Sequence, residues 1–155
     1  MGIMKFSLPE IFIGHGSMTY AGLCARRLGA EKIFFVSDPG LKKAGWVDAL
    51  FEIFEHEKLK WVYYSNISSN PRDREIQKGA RLYDQHGCDV VFALGGGSPM
   101  DAAKGIALVA SNGGRVNDYE GANRIRKPLP PMVFMPSTAS SGSDISQFTI
   151  ITDMS

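Results

Sequence analysis

The run Asp89-Val90-Val91-Phe92-Ala93-Leu94-Gly95-Gly96-Gly97-Ser98-Pro99-Met100-Asp101 decides the fold. Its first half is continuously apolar and rich in β-branched and aromatic residues, as a strand covered on both faces has to be. Its second half is three glycines, then a serine and a proline opening a helical stretch that runs to about Asn112-Gly113-Gly114. Glycines let the backbone turn tightly and let a ligand come close. A helix N-terminus behind them offers free N–H groups and the positive end of a dipole, which together attract an anion. Ser98 with Asp101 three residues on also reads as a capping box that merely finishes the helix. Capping does not account for three successive glycines, which cost conformational entropy. Gly95, Gly96, Gly97 and Ser98 are therefore read as a phosphate-binding loop. A carboxylate repels phosphate, so Asp101 is expected to face a ribose, a backbone amide or another polar partner.

The same strand-then-helix grammar extends in both directions. Apolar runs end at Ile11-Phe12-Ile13-Gly14, cover Lys32 to Asp38 and Leu59 to Tyr64, and return at Met132-Val133-Phe134-Met135. Between them, Val47, Leu50, Phe51 and Phe54, and again Ile76, Gly79, Ala80 and Tyr83, follow the i, i+3, i+4, i+7 spacing of an amphipathic helix. Asn70-Pro71 is expected to open the second of these, with Asn70 as N-cap, and Gly29 and Gly87 to stop helices. The order β-α-β-α-β-α-β-α-β predicts an α/β domain with a doubly wound, mainly parallel sheet. Ligands of such sheets bind beyond the carboxyl ends of the strands.

Three further loops stand at such ends. Gly14-His15-Gly16-Ser17-Met18-Thr19 imitates a dinucleotide fingerprint, but Thr19 takes the place of the third glycine, so Gly14 and Gly16 are read mainly as turn residues. Asp38 follows Phe34-Phe35-Val36-Ser37; its carboxylate can accept from both hydroxyls of an adenosine ribose and would repel a 2′-phosphate, or it can simply cap a turn at Pro39-Gly40. Pro136-Ser137-Thr138-Ala139-Ser140-Ser141-Gly142-Ser143-Asp144 offers small hydroxyls for phosphate and ribose oxygens. The polar stretch from Gly113 to Pro131 is a long connection, and Tyr119 within it is expected to pack. The last residues, Phe148 to Ser155, read as a strand with nothing to cover it, so the chain, one domain over 1–155, reads as truncated.

Composition excludes several alternatives. The chain has 155 residues, 17 Lys+Arg against 16 Asp+Glu and a net charge of +1, which gives no electrostatic footprint for nucleic acid or an anionic membrane. No apolar run approaches the length of a membrane span. Cys24 and Cys88 form no disulfide framework or zinc site and fit a cytoplasmic protein with reduced thiols. His15, His56 and His86 show no metal-ligand spacing, and no nucleophile elbow occurs.

The motifs together resemble the iron-containing (group III) alcohol dehydrogenases. The family's Gly-Gly-Gly-Ser-x-x-Asp-x-x-Lys is met by Gly95, Gly96, Gly97, Ser98, Asp101 and Lys104, and its Asp-Tyr-x-Gly by Asp118, Tyr119 and Gly121. Its Pro-Thr-Thr-Ala-Gly-Thr-Gly-Ser-Glu is met loosely from Pro136 to Asp144, with Ser137, Ser140, Ser141 and Asp144 departing from it. The resemblance implies the Rossmann-like, dehydroquinate synthase-like N-terminal domain of an NAD-dependent alcohol dehydrogenase. It implies a cofactor set of Asp38, Asn70, Gly95, Gly96, Gly97, Ser98, Asp101, Thr138 and Ser141. It also implies iron held by an Asp and three His of a C-terminal helical domain absent from this chain, so no metal or catalytic residue is assigned. The implied substrate is a small alcohol or aldehyde, and a homo-oligomer is expected. Without the helical domain the chain is expected to bind NAD weakly and to oxidise no alcohol. A glycerol dehydrogenase or dehydroquinate synthase-like enzyme, or a non-catalytic nucleotide-binding module, are the alternatives.

Overall fold

The computed structural model describes residues 10–121, 123–139, 142–146 and 149–154. Four strands make one parallel sheet: β1 (Lys32–Ser37), β2 (Lys60–Tyr64), β3 (Val90–Gly95) and β4 (Met132–Pro136). Their order is β2-β1-β3-β4. Five helices accompany them: α1 (Ala21–Arg27), α2 (Pro39–Lys43), α3 (Trp46–His56), α4 (Asp73–His86) and α5 (Gly97–Asn112).

Each face of the sheet carries its own core, because the strand side chains alternate. Ile33, Phe35, Phe92 and Leu94 point to the face covered by α1 and α3 and meet Ala25, Val47, Leu50 and Phe54. Phe34, Val36, Val91 and Ala93 point to the face covered by α4 and α5 and meet Ile76, Ala80, Met100, Ala103 and Ile106. This two-sided cover is why β1 and β3 are apolar throughout. From β1 the chain steps to β2 over one face; from β2 to β3, and from β3 to β4, it steps the opposite way over the other. The direction therefore reverses between β1 and β3. At that seam the buried Ser37 hydroxyl donates to the Leu94 carbonyl at 2.9 Å.

The structure corrects three local expectations. Residues 10–14 form no strand, and Ile13 is 92% exposed. An apolar run becomes a strand only where a neighbouring backbone can pair with it, and none among the described residues does. The terminal run contributes one bridge, Thr152 to Arg72, rather than a strand; Phe148 and Ser155 lie outside the described residues. Helix α4 begins at Asp73, not at Pro71, because Arg72 is extended and the Pro71 carbonyl is taken by the Thr152 amide at 2.7 Å. Asn70 is thus an exposed loop residue rather than a cap, and the Glu75 carboxylate reaches back to the Arg72 amide at 3.0 Å. Gly87 ends α4 and Gly29 follows the end of α1, as expected. Tyr119 sits in a short 3-10 turn, Val116–Tyr119, and its hydroxyl donates to the Gly113 carbonyl at 2.7 Å.

The core also fixes a pH response. Burial pushes the Cys88 thiol up to about 11 and the Tyr64 and Tyr83 phenols up to about 12. The folded chain keeps these protons at pH values where the unfolded chain releases them. Their contribution to stability is complete below pH ~9 and is lost as pH rises through 11–12. The melting temperature is expected to fall steadily from pH 9 to 11 in reducing buffer, less steeply in Cys88→Ala. A flat profile over that range in the wild type would show that the three groups titrate alike in both states.

Candidate functional site

The carboxyl ends of β1 and β3 lie side by side at the seam where the chain reverses direction, the place where doubly wound sheets take their ligands. Ser37 pairs with Leu94, so Asp38 comes out beside Gly95. The two readings of Asp38 turn out to be compatible. One carboxylate oxygen, Oδ1, accepts from the Leu41 amide at 3.0 Å and caps α2. The other, Oδ2, faces Gly95, 3.2 Å from where a Cβ of that residue would stand. Gly95 has φ +149°, and such a Cβ would also lie 2.6 Å from Pro99 Cγ. No side chain other than glycine's fits between the Asp38 carboxylate and the first turn of α5.

Gly96 is the N-cap of α5, and no side chain caps that end. The alternative reading of Ser98 as a helix cap does not hold. Ser98 is the second helical residue, and its hydroxyl donates instead to the Ser69 carbonyl in the loop after β2. That bond brings Ser69, and Asn70 next to it, to the rim of the glycine loop. The first amides of a helix have no carbonyl partner within it, so the head of α5 offers N–H donors beside the glycines, and the 16-residue helix adds its dipole there.

On the opposite side, β4 delivers the hydroxyl-rich loop. The Ser137 amide donates to the Gly95 carbonyl at 2.8 Å. Thr138 is exposed, with Oγ1 3.5 Å from a Cβ built on Gly96. Thr138 therefore stands beside Gly96 at the mouth of the glycine loop. Ser141 lies outside the described residues. Asp101 and Lys104 stand apart from this opening: they are buried on α5 at 7% and 8% exposure. Burial pushes the Asp101 carboxyl up, against the Lys104 ammonium and hydrogen bonds from the Ile150 amide and the Ser143 hydroxyl. Burial pulls Lys104 down, against the carboxylates of Asp101 and Asp144. Of the partners open to Asp101 in the sequence, a backbone amide is the one it meets within the chain.

The structure adds Ser37 and Ser69 to the residues that shape the site. Ser37 was legible only as a polar residue closing an apolar run; nothing in the sequence marks Ser69. As to a metal, no group of three or more His, Cys, Asp or Glu among the described residues could hold one. No step is assigned to a metal on these residues. No helix among them is long and apolar enough to cross a membrane.

The chain is similar to known proteins over nearly its whole length. A family model described as iron-containing alcohol dehydrogenase matches residues 9–155. An NAD-dependent methanol dehydrogenase of Bacillus methanolicus is 34% identical over 148 residues, 96% of this chain and 39% of its own length. The crystal structure of a 1,3-propanediol oxidoreductase superposes with a TM-score of 0.93 at 28% identity, over 99% of this chain and 40% of that one. A sulfoacetaldehyde reductase from Bifidobacterium kashiwanohense, solved in complex with NAD+, shares the fold at TM-score 0.82 and 23% identity, over 90% of this chain and 37% of its own. The chain thus spans about 40% of the length of these relatives.

Proposed function

The chain belongs to the iron-containing alcohol dehydrogenases, and from that premise we propose that it is the NAD-binding part of an enzyme moving hydride between an alcohol and its aldehyde. One observation carries the reading: the Asp38 carboxylate stands against Gly95 across the β1/β3 seam, in front of a helix end that no side chain caps. The residues fit a dinucleotide. The amides at the head of α5 would hold the pyrophosphate in the space left by Gly95, Gly96 and Gly97, with Ser98 fixing the neighbouring loop through Ser69. Asp38 Oδ2 would accept from the adenosine ribose while Oδ1 keeps its cap on Leu41. Asn70 would meet the adenine side, and Thr138 and Ser141 the phosphate or nicotinamide side.

When bound, the nicotinamide supplies the acceptor for the hydride that leaves the alcohol carbon. The protein's own contribution is to bind and orient it: backbone donors for the phosphates, a carboxylate for the ribose, hydroxyls across the opening. Metal and alcohol contacts are ascribed to parts of the protein beyond these residues. The methanol dehydrogenase relative, named as NAD-dependent, supports the choice of cofactor. A cytoplasmic homo-oligomer acting on a small alcohol or aldehyde, with neither nucleic acid nor membrane as partner, completes the reading.

Asp38 gives the test. A carboxylate at the ribose repels a 2′-phosphate, so the wild type is expected to bind NAD at least roughly tenfold more tightly than NADP, ~1.4 kcal/mol. Asp38→Asn keeps a carbonyl oxygen for the Leu41 amide but loses the charge, and is expected to narrow that ratio. Calorimetric titration of both proteins with both cofactors decides it. Tighter NADP binding by the wild type would defeat the assignment, and an unchanged ratio in Asp38→Asn would leave Asp38 as a helix cap alone.

A further inference from the structure

Helix α5 buries two charged side chains, Asp101 and Lys104, away from the glycine loop. Asp101 and Lys104 lie one turn apart on its buried face, and a charged side chain stays buried only when it is paired and hydrogen-bonded. Their bonds converge on one stretch of chain. Lys104 Nζ donates to the Ser146 carbonyl at 2.8 Å and stands 5.8 Å from the centre of the Phe134 ring, on the strand that leads into the hydroxyl loop. The Asp101 carbonyl accepts from Thr149 Oγ1 at 2.8 Å. Its carboxylate faces the Ile150 amide and the Ser143 hydroxyl. The chain leaving β4 is therefore held at two levels: at the glycine loop through Ser137, and further down α5 through Ser143, Ser146, Thr149 and Ile150. Thr138 hangs between the two attachments.

We propose that Asp101 and Lys104 are positioning residues, which touch no part of the cofactor and set the hydroxyl loop against the glycine loop so that Thr138 meets the dinucleotide. This rests on the NAD reading above. The buried side chains on α5 thereby tie the loop to the same helix whose first turn faces the phosphates. Phosphate donors and hydroxyl donors are kept in one frame. In a reacting complex a misplacement of about 1 Å costs on the order of 100-fold in rate, so the frame has to be held closely.

The test is a double-mutant cycle on NAD affinity, measured by titration calorimetry. Lys104→Met keeps the aliphatic stem packed, and Asp101→Asn keeps the side-chain shape. Each is expected to weaken NAD binding roughly tenfold, with partial recovery in Lys104→Arg. Adding Thr138→Ala to Lys104→Met is expected to cost little more than either change alone, because both remove the same contact. Adding Asp38→Asn is expected to be additive. Amide hydrogen exchange around Thr138 is expected to quicken in Lys104→Met while that of β3 and α5 stays as in the wild type. Additivity with Thr138→Ala, or loop exchange unchanged in Lys104→Met, would overturn the positioning role while leaving NAD binding by the wild type standing. A wild type that binds no NAD would overturn both.

Discussion

Gly96→Val is expected to abolish NAD binding while leaving the fold intact. Gly96 has φ −83°, which any residue adopts, and among the described residues a Cβ there meets nothing closer than Thr138 Oγ1 at 3.5 Å. The backbone and the described neighbours thus leave room for a Cβ at this position. The bound dinucleotide cannot, because valine would fill the opening between the head of α5 and Thr138. Losing two backbone donors to a charged oxygen, at ~1.5–3 kcal/mol each, weakens binding on the order of 100-fold or more. Calorimetry gives the affinity, and circular dichroism with a urea melt establishes that the variant folds. NAD affinity unchanged in a folded Gly96→Val would remove the glycine loop from the site. Gly95→Val would be a poor substitute for this test. Its positive φ and the 2.6 Å approach to Pro99 make the substitution a change in the fold itself.

Phe92→Ala is expected to have the largest effect on stability. Phe92 is fully buried in the middle of β3, opposite Phe35 on one side and Val133 on the other. Its ring meets Phe54 of α3 edge to face, with centroids 5.4 Å apart. Truncation removes the anchor between the central strand and that helix and leaves a cavity that rigid neighbours only partly close. The expected loss is ~3–5 kcal/mol, a large share of the ~5–15 kcal/mol a domain of this kind possesses. In urea the midpoint should fall with little change in slope. A loss below ~1 kcal/mol would mean that α3 and the sheet repack around the gap, at odds with the close packing of interiors.

How much of this was legible in the sequence depends on where each signal comes from. Lys32 to Ser37 and Val90 to Leu94 were readable as central strands because burial on both faces leaves an unbroken apolar run. The helix at Val47, Leu50 and Phe54 was readable because one of its faces meets the sheet. The glycine loop was readable because three consecutive glycines have no cheap structural excuse. The misreadings share a cause. Ile11 to Ile13 and Thr149 to Met154, the described parts of two longer runs, carry strand-like residues, but pairing is a property of the neighbour and not of the run. Asn70-Pro71 carries the right letters for a helix start, yet the Thr152 amide claims the Pro71 carbonyl from 81 positions away in the chain. Ser98 looked like a cap because local spacing says nothing about Ser69. The site residues contributed by strand ends were therefore within reach of the sequence, and the bonds that tie separate loops together were not.

The seam between β1 and β3 also has a consequence in time. β1 pairs with β2 across a short stretch of chain, Lys32 with Lys60, but with β3 only across a much longer one, Ile33 with Val90. The β1/β3 ladder is the longest loop closure the sheet requires, and its entropy is spent before its contacts repay it. Asp38 and Gly95 become neighbours only when that ladder zips to its end. Helices and the β1/β2 pair can form beforehand without creating any pocket. Affinity for the dinucleotide is thus expected to appear only once this ladder has formed, and ligand added during refolding should select only molecules in which β1 and β3 are already paired.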